Sequence, residues 1–97
     1  MRTLRVLPEA EEELGEAILW YETKRPGLGV ELMAVVDEAL ERVVDAPLSM
    51  SLWREPWRRC TLRRFPYVIF FSFVDEVVEV AAIAHAKRRP GYWIGRQ

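Results

Sequence analysis

In 97 residues the chain has one cysteine, Cys60, and one histidine, His85. A lone thiol closes no internal disulfide, and one imidazole plus one thiol cannot assemble a structural zinc site at ordinary spacing. No glycine-rich phosphate loop is present, so neither a metal nor a cofactor is expected. The longest apolar run, Phe65 to Val74, is far shorter than the roughly 20 residues that span a bilayer. Met1-Arg2-Thr3-Leu4-Arg5 leads into charged sequence rather than an apolar signal segment. These absences predict a cytoplasmic protein without a membrane partner. Repeats, low-complexity stretches and interdomain linkers are also missing, so residues 1–97 read as a single domain.

What is present suits a packed core. Hydrophobic residues make up 51% of the chain, and eleven aromatics include Trp20, Trp53, Trp57 and Trp93. A chain of this size buries roughly two-thirds of its unfolded surface, which excludes a disordered segment. The net charge of −1 conceals an asymmetry. Residues 1–48 carry 5 Lys/Arg against 11 Asp/Glu, whereas residues 49–97 carry 9 against 4. The second half therefore offers a basic surface to nucleic acid or to an acidic partner.

Thr3 to Leu7 alternates weakly and stops at Pro8, which predicts a short strand followed by a helix with proline at its first position. Glu9, Glu11, Glu12 and Glu13 complement the positive helix start, and Ala10, Leu14, Ala17, Ile18 and Tyr21 form one apolar stripe over about four turns. Trp20 lies beside that stripe. Lys24-Arg25-Pro26-Gly27 ends this helix. A second helix with Leu28, Leu32, Val35, Val36, Ala39 and Val43 inward follows, ending at or before Ala46 because of Pro47. A short link between the two makes an antiparallel helix hairpin.

Leu48 to Trp57 has no clear period and reads as a loop. Trp53 and Trp57 in it either stack on bases or fill the edge of a small core. Arg58–Arg63, Tyr67–Phe73 and Val77–His85 read as strands, with Asp75-Glu76 as the turn between the last two. The expected fold class is α+β in the order β-α-α-β-β-β, the hairpin packed on one face of a small, mainly antiparallel sheet. Strands apolar on both sides need cover on both. The helices cover one face; either Tyr92-Trp93-Ile94 folding back or a partner must cover the other.

Three strings are more specific than this outline. They are Glu16-Ala17-Ile18-Leu19-Trp20-Tyr21-Glu22 with Arg25-Pro26-Gly27-Leu28-Gly29, then Arg63-Arg64-Phe65-Pro66-Tyr67-Val68-Ile69-Phe70-Phe71, then His85-Ala86-Lys87-Arg88-Arg89-Pro90-Gly91-Tyr92-Trp93. In order and spacing the sequence resembles the ParE-like, plasmid-stabilisation branch of the RelE/ParE toxin superfamily over nearly its whole length. The resemblance implies a type II toxin–antitoxin system in which a cognate antitoxin wraps the toxin through a segment that orders on binding.

Members of that superfamily divide between inhibitors of DNA gyrase and ribosome-dependent mRNA endonucleases. Metal-free RNA cleavage needs a base for the 2′-hydroxyl, a cation for the phosphate and an acid for the leaving oxygen. A nuclease reading would use His85, Arg63, Arg88 and Tyr92, with Arg59, Arg64 and Arg89 as further cations. RelE-like nucleases commonly carry an arginine after the tyrosine of the central strand, and here Val68 follows Tyr67. That favours a binding inhibitor of gyrase, with Trp20, Arg59, Arg63, Arg64, Arg88, Arg89, Tyr92 and Trp93 as candidate partner contacts. The alternatives are an mRNA interferase acting at the ribosome, and a non-toxic relative kept as a binding module, the latter motivated by the mildly acidic charge.

Overall fold

Pro8 has no backbone N–H to offer a sheet, and its fixed φ suits the first turn of a helix. In the computed structural model, which describes residues 1–96, strand β1 (Thr3–Val6) accordingly gives way to helix α1 (Pro8–Lys24). Helix α2 (Leu28–Asp45), a 3₁₀ turn (Pro47–Ser49) and strands β2 (Ser51–Arg54), β3 (Trp57–Thr61), β4 (Tyr67–Val74) and β5 (Val77–His85) follow. The sheet order is β1-β5-β4-β3-β2, antiparallel except for the parallel β1–β5 pair. The α+β class and the helix hairpin on one sheet face are as the sequence predicts.

The hairpin closes on Glu22. Its carboxylate accepts the backbone N–H groups of Gly27 (2.8 Å) and Gly29 (2.9 Å), capping the start of α2. Gly27 turns the chain at φ 90°, a conformation glycine adopts without strain. Gly29 is where the helices touch: a Cβ there would stand 2.7 Å from the Ile18 carbonyl oxygen.

The segment Leu48–Trp57, expected to be a loop, contains the 3₁₀ turn and β2, which adds a fifth strand. A register shift between Leu52 and Arg54 breaks the alternation that would have announced it. β3 ends at Thr61 rather than Arg63, leaving Arg63 and Arg64 in the turn before β4, where Arg64 has φ 67°. Asp75 and Glu76 do form the β4–β5 turn. Both have positive φ, as a two-residue type I′ hairpin turn requires.

Two cores lie on opposite sides of the sheet. Under the helices, Leu32, Val36, Ala39 and Val43 pack on Ile69, Phe71, Val78, Val80 and Ile83. On the far side, Phe70, Ala81, Ala82 and Ala84 pack with Leu7 and Trp93. Val80 and Ile83 reach the same core although three residues apart, because Phe70 pairs with Ala82 and Phe71 with Val80, leaving Ala81 as a bulge. The small alanines clear space for Trp93, which stacks on Phe70 at 4.0 Å and is fully buried. Of the two possible covers for the far face, the C-terminal segment is thus the one in place. Removing that indole opens a large cavity: Trp93→Ala is expected to lower the unfolding free energy by about 3–5 kcal/mol, read as the shift of a chemical denaturation curve.

Candidate functional site

Beside α1, on the hairpin side of the sheet, the start of β4 and the end of β5 are left open. Ala17, Trp20 and Tyr21 of α1 form one wall of a groove of about 340 Å³, and Tyr67, Ile83 and His85 of β4 and β5 form the other. Glu13, Glu16 and Arg88 supply its polar rim. The period of α1 sets the first wall: Ala17 and Tyr21 belong to the buried stripe, and Trp20, one position off it, is left 54% exposed over the opening. Register sets the second, since Tyr67 pairs directly with His85. Their rings meet edge to face at 5.2 Å, and Tyr21 in turn contacts Tyr67 at 6.2 Å.

At one end of the groove Glu13 gathers the chain. One carboxylate oxygen accepts the Ile83 N–H (3.0 Å) and an Arg96 N–H (3.2 Å); the other accepts the Tyr92 hydroxyl (2.5 Å) and the second Arg96 nitrogen (3.1 Å). Arg88 stands 3.5 Å from the same oxygen and lies over the Tyr92 ring at 3.6 Å. Arg96 also donates to the Ala81 carbonyl (3.0 Å), at the bulge. One partly buried carboxylate therefore ties α1, the β5 bulge and the C-terminal segment together. Burial and the hydrogen bond to Glu13 push the Tyr92 hydroxyl well above the ordinary tyrosine range.

Several of the groove's polar groups are already engaged within the chain. His85 Nδ1 accepts the Lys87 backbone N–H at 3.1 Å, which orients the ring. Tyr92, a candidate acid, already donates to Glu13. Of the four residues in the nuclease reading only His85 and Arg88 line the groove. Arg63 is held by Glu38 of α2 (2.6 Å), and Arg64 by Glu31 (2.6 Å), whose carboxyl that hydrogen bond draws below the usual range. Val68 packs toward the far-side core, so the position after Tyr67 does not face the groove.

The candidate partner contacts divide accordingly. Trp20 and Arg88 are at the groove, Arg59 and Arg89 are exposed elsewhere, and Tyr92 is half-buried. Trp93 is fully buried at the centre of the far-side core, so it packs there rather than meeting a partner at the surface. Glu13, Tyr21 and Tyr67 escape sequence reasoning: Glu13 looks like one of several acidic residues at a helix start, and only its four contacts distinguish it. Cys60 is buried in β3, and desolvation pushes its thiol up, which leaves it protonated. Among the described residues, no group of three His, Cys, Asp or Glu side chains converges as metal ligands.

A helix hairpin on one face of a five-stranded mixed sheet is also the fold of a chain in the chromosomal ParDE TA system from P. aeruginosa. The two superpose with a TM-score of 0.67 at 16% identity, covering 90% of this chain and 98% of that one. Residues 4–90 match the model of the ParE toxin of type II toxin–antitoxin system, parDE, and the chain belongs to this family. Toxin ParE2 of Mycobacterium tuberculosis, strains CDC 1551 / Oshkosh and H37Rv, is 29% identical over 90 residues, which is 92% of this chain and 86% of ParE2. Membership implies an antitoxin partner.

Two outcomes test the Glu13 cluster. Glu13→Gln leaves Arg96 without its countercharge and is expected to cost about 1–3 kcal/mol in urea denaturation. The raised Tyr92 hydroxyl stabilises the fold fully below the ordinary tyrosine value, about 10, and this contribution is lost as pH rises above it. The urea midpoint should therefore fall above about pH 10, and less steeply in Tyr92→Phe.

Proposed function

We propose that this chain is the toxin of a type II toxin–antitoxin pair, that a cognate antitoxin holds it inactive, and that it acts by binding DNA gyrase and stopping replication. The observation that carries the binding mode is the state of the groove. Its only imidazole has Nδ1 engaged by backbone, and its only arginine is shared with Glu13 and the Tyr92 ring. What remains free is an apolar, aromatic recess with a polar rim, the composition of a recognition site. Trp20 is its anchor and Arg88, held by Glu13 and Tyr92, its charged rim, both side-chain types enriched among interface hot spots.

The antitoxin reading draws support from large apolar side chains left in water. Leu19, Trp20, Val30 and Met33 on the two helices are all more than two-fifths exposed, more apolar surface than a hairpin needs to show unless a partner covers it. No described helix is long and apolar enough to cross a membrane, and the proposed site of action is the cytoplasm.

Induction in a bacterial host without antitoxin, with pulse-labelling of DNA and protein synthesis in the first minutes, separates the readings. DNA synthesis is expected to fail first, Trp20→Ala and Arg88→Ala are expected to relieve the arrest, and His85→Gln is expected to keep it. If translation collapses first, with cut messages, the chain is an mRNA interferase and the binding reading fails. Unimpaired growth would make it a non-toxic binding module.

A further inference from the structure

The positive excess of the second half is largely neutralised in the fold. Glu38, Glu31 and Glu13 of the first half pair with Arg63, Arg64, Arg88 and Arg96, and Arg58 donates to the Met50 carbonyl. Among the described residues of the second half, Arg54, Arg59, Lys87 and Arg89 are exposed and make no ion pair. Arg54 and Arg59 lie on the far side of the sheet, and Arg89 stands two residues along the chain from Gly91 at its margin. Arg59 pairs with Phe70 and so shares its sheet face, as does Trp57 two residues earlier. Arg89 precedes Gly91, whose Cβ position lies 3.5 Å from the Trp53 ring. The Arg54 guanidinium rests over the Trp53 ring at 4.9 Å.

Trp53 and Trp57 are half-buried, meeting Trp93 at 5.1 and 6.1 Å. Their inner edges complete the core and their outer parts stay in water between unpaired guanidiniums. We propose that this aromatic, cationic face binds single-stranded nucleic acid, independently of the groove beside α1 and of the toxin's target. Bases stack on the Arg54–Trp53 pair and on Trp57, and the phosphates meet Arg54, Arg59 and Arg89. An acidic peptide would use the guanidiniums alone. A nucleotide strand uses both the cations and the indoles, which is why it is the occupant argued for. The overall charge of −1 does not oppose this, because exposed charges more than about 10 Å apart are screened at ordinary salt.

The test is fluorescence anisotropy of the purified chain with labelled oligothymidine and oligouridine about 20 nucleotides long, over a salt series. Three phosphate contacts give a slope of log K against log salt of about −2. Reversing Arg54→Glu together with Arg59→Glu is expected to reduce the slope to about −0.7 and weaken low-salt binding at least tenfold, while Lys24→Glu on the helix hairpin leaves both unchanged. In Trp20→Phe, where emission comes only from Trp53, Trp57 and Trp93, bound oligonucleotide is expected to quench it. The proposal is overturned if the folded chain binds no oligonucleotide at low salt, or if binding survives the double reversal. Poly-glutamate of equal length binding as tightly would also overturn it, making this an acidic-peptide surface.

Discussion

The architecture depends on how one extra residue in β5 is accommodated. The bulge at Ala81 shifts the alternation, so that Val80 and Ile83 both face the helices while Ala81, Ala82 and Ala84 face the other way. A bulge leaves backbone groups without ladder partners, and here Arg96 takes the Ala81 carbonyl while Glu13 takes the Ile83 N–H. The same two side chains pair with each other. The charge that repairs the strand thereby anchors α1 on one side and the C-terminal segment on the other. Small residues on the far face, exposed by the same shift, are what allow Trp93 to lie flat on Phe70.

The charge pattern acquires its meaning from this arrangement. Carboxylates of the helical half are distributed along the hairpin, where Glu13, Glu31 and Glu38 each meet an arginine arriving from the strand half. Glu22 performs a related task within the hairpin by capping α2. The groove beside α1 is therefore nearly balanced in charge and rich in aromatic surface. Arg54 and Arg59, which make no ion pair, lie beside the tryptophans on the opposite side of the sheet. A ParE-family toxin must present surfaces for at least one partner, and separating an aromatic groove from a basic aromatic face gives one small chain two chemically distinct surfaces.

Much of the fold was legible in one dimension because it rests on local chemistry. Pro8, Pro26-Gly27 and Pro47 constrain the backbone directly, the apolar stripes follow the helical period, and Asp75-Glu76 turns the last hairpin. Of the site, Trp20, His85 and Arg88 were recognisable as candidates. β2 was not, since a four-residue edge strand with a register shift carries too little alternation. Arg63 and Arg64 looked as available as Arg59, because nothing in the order of residues says that Glu38 and Glu31 will lie within 2.6 Å of them.

By itself the sequence determined the helix hairpin, the late strands, the family resemblance and the need for cover on both sheet faces, all consequences of period, proline and composition. Only the tertiary structure decided what covers the far face, which arginines stay free and what Glu13 does. Those outcomes depend on contacts between residues 15 to 83 positions apart, and in β5 on a single-residue bulge that shifts which side chains face each layer.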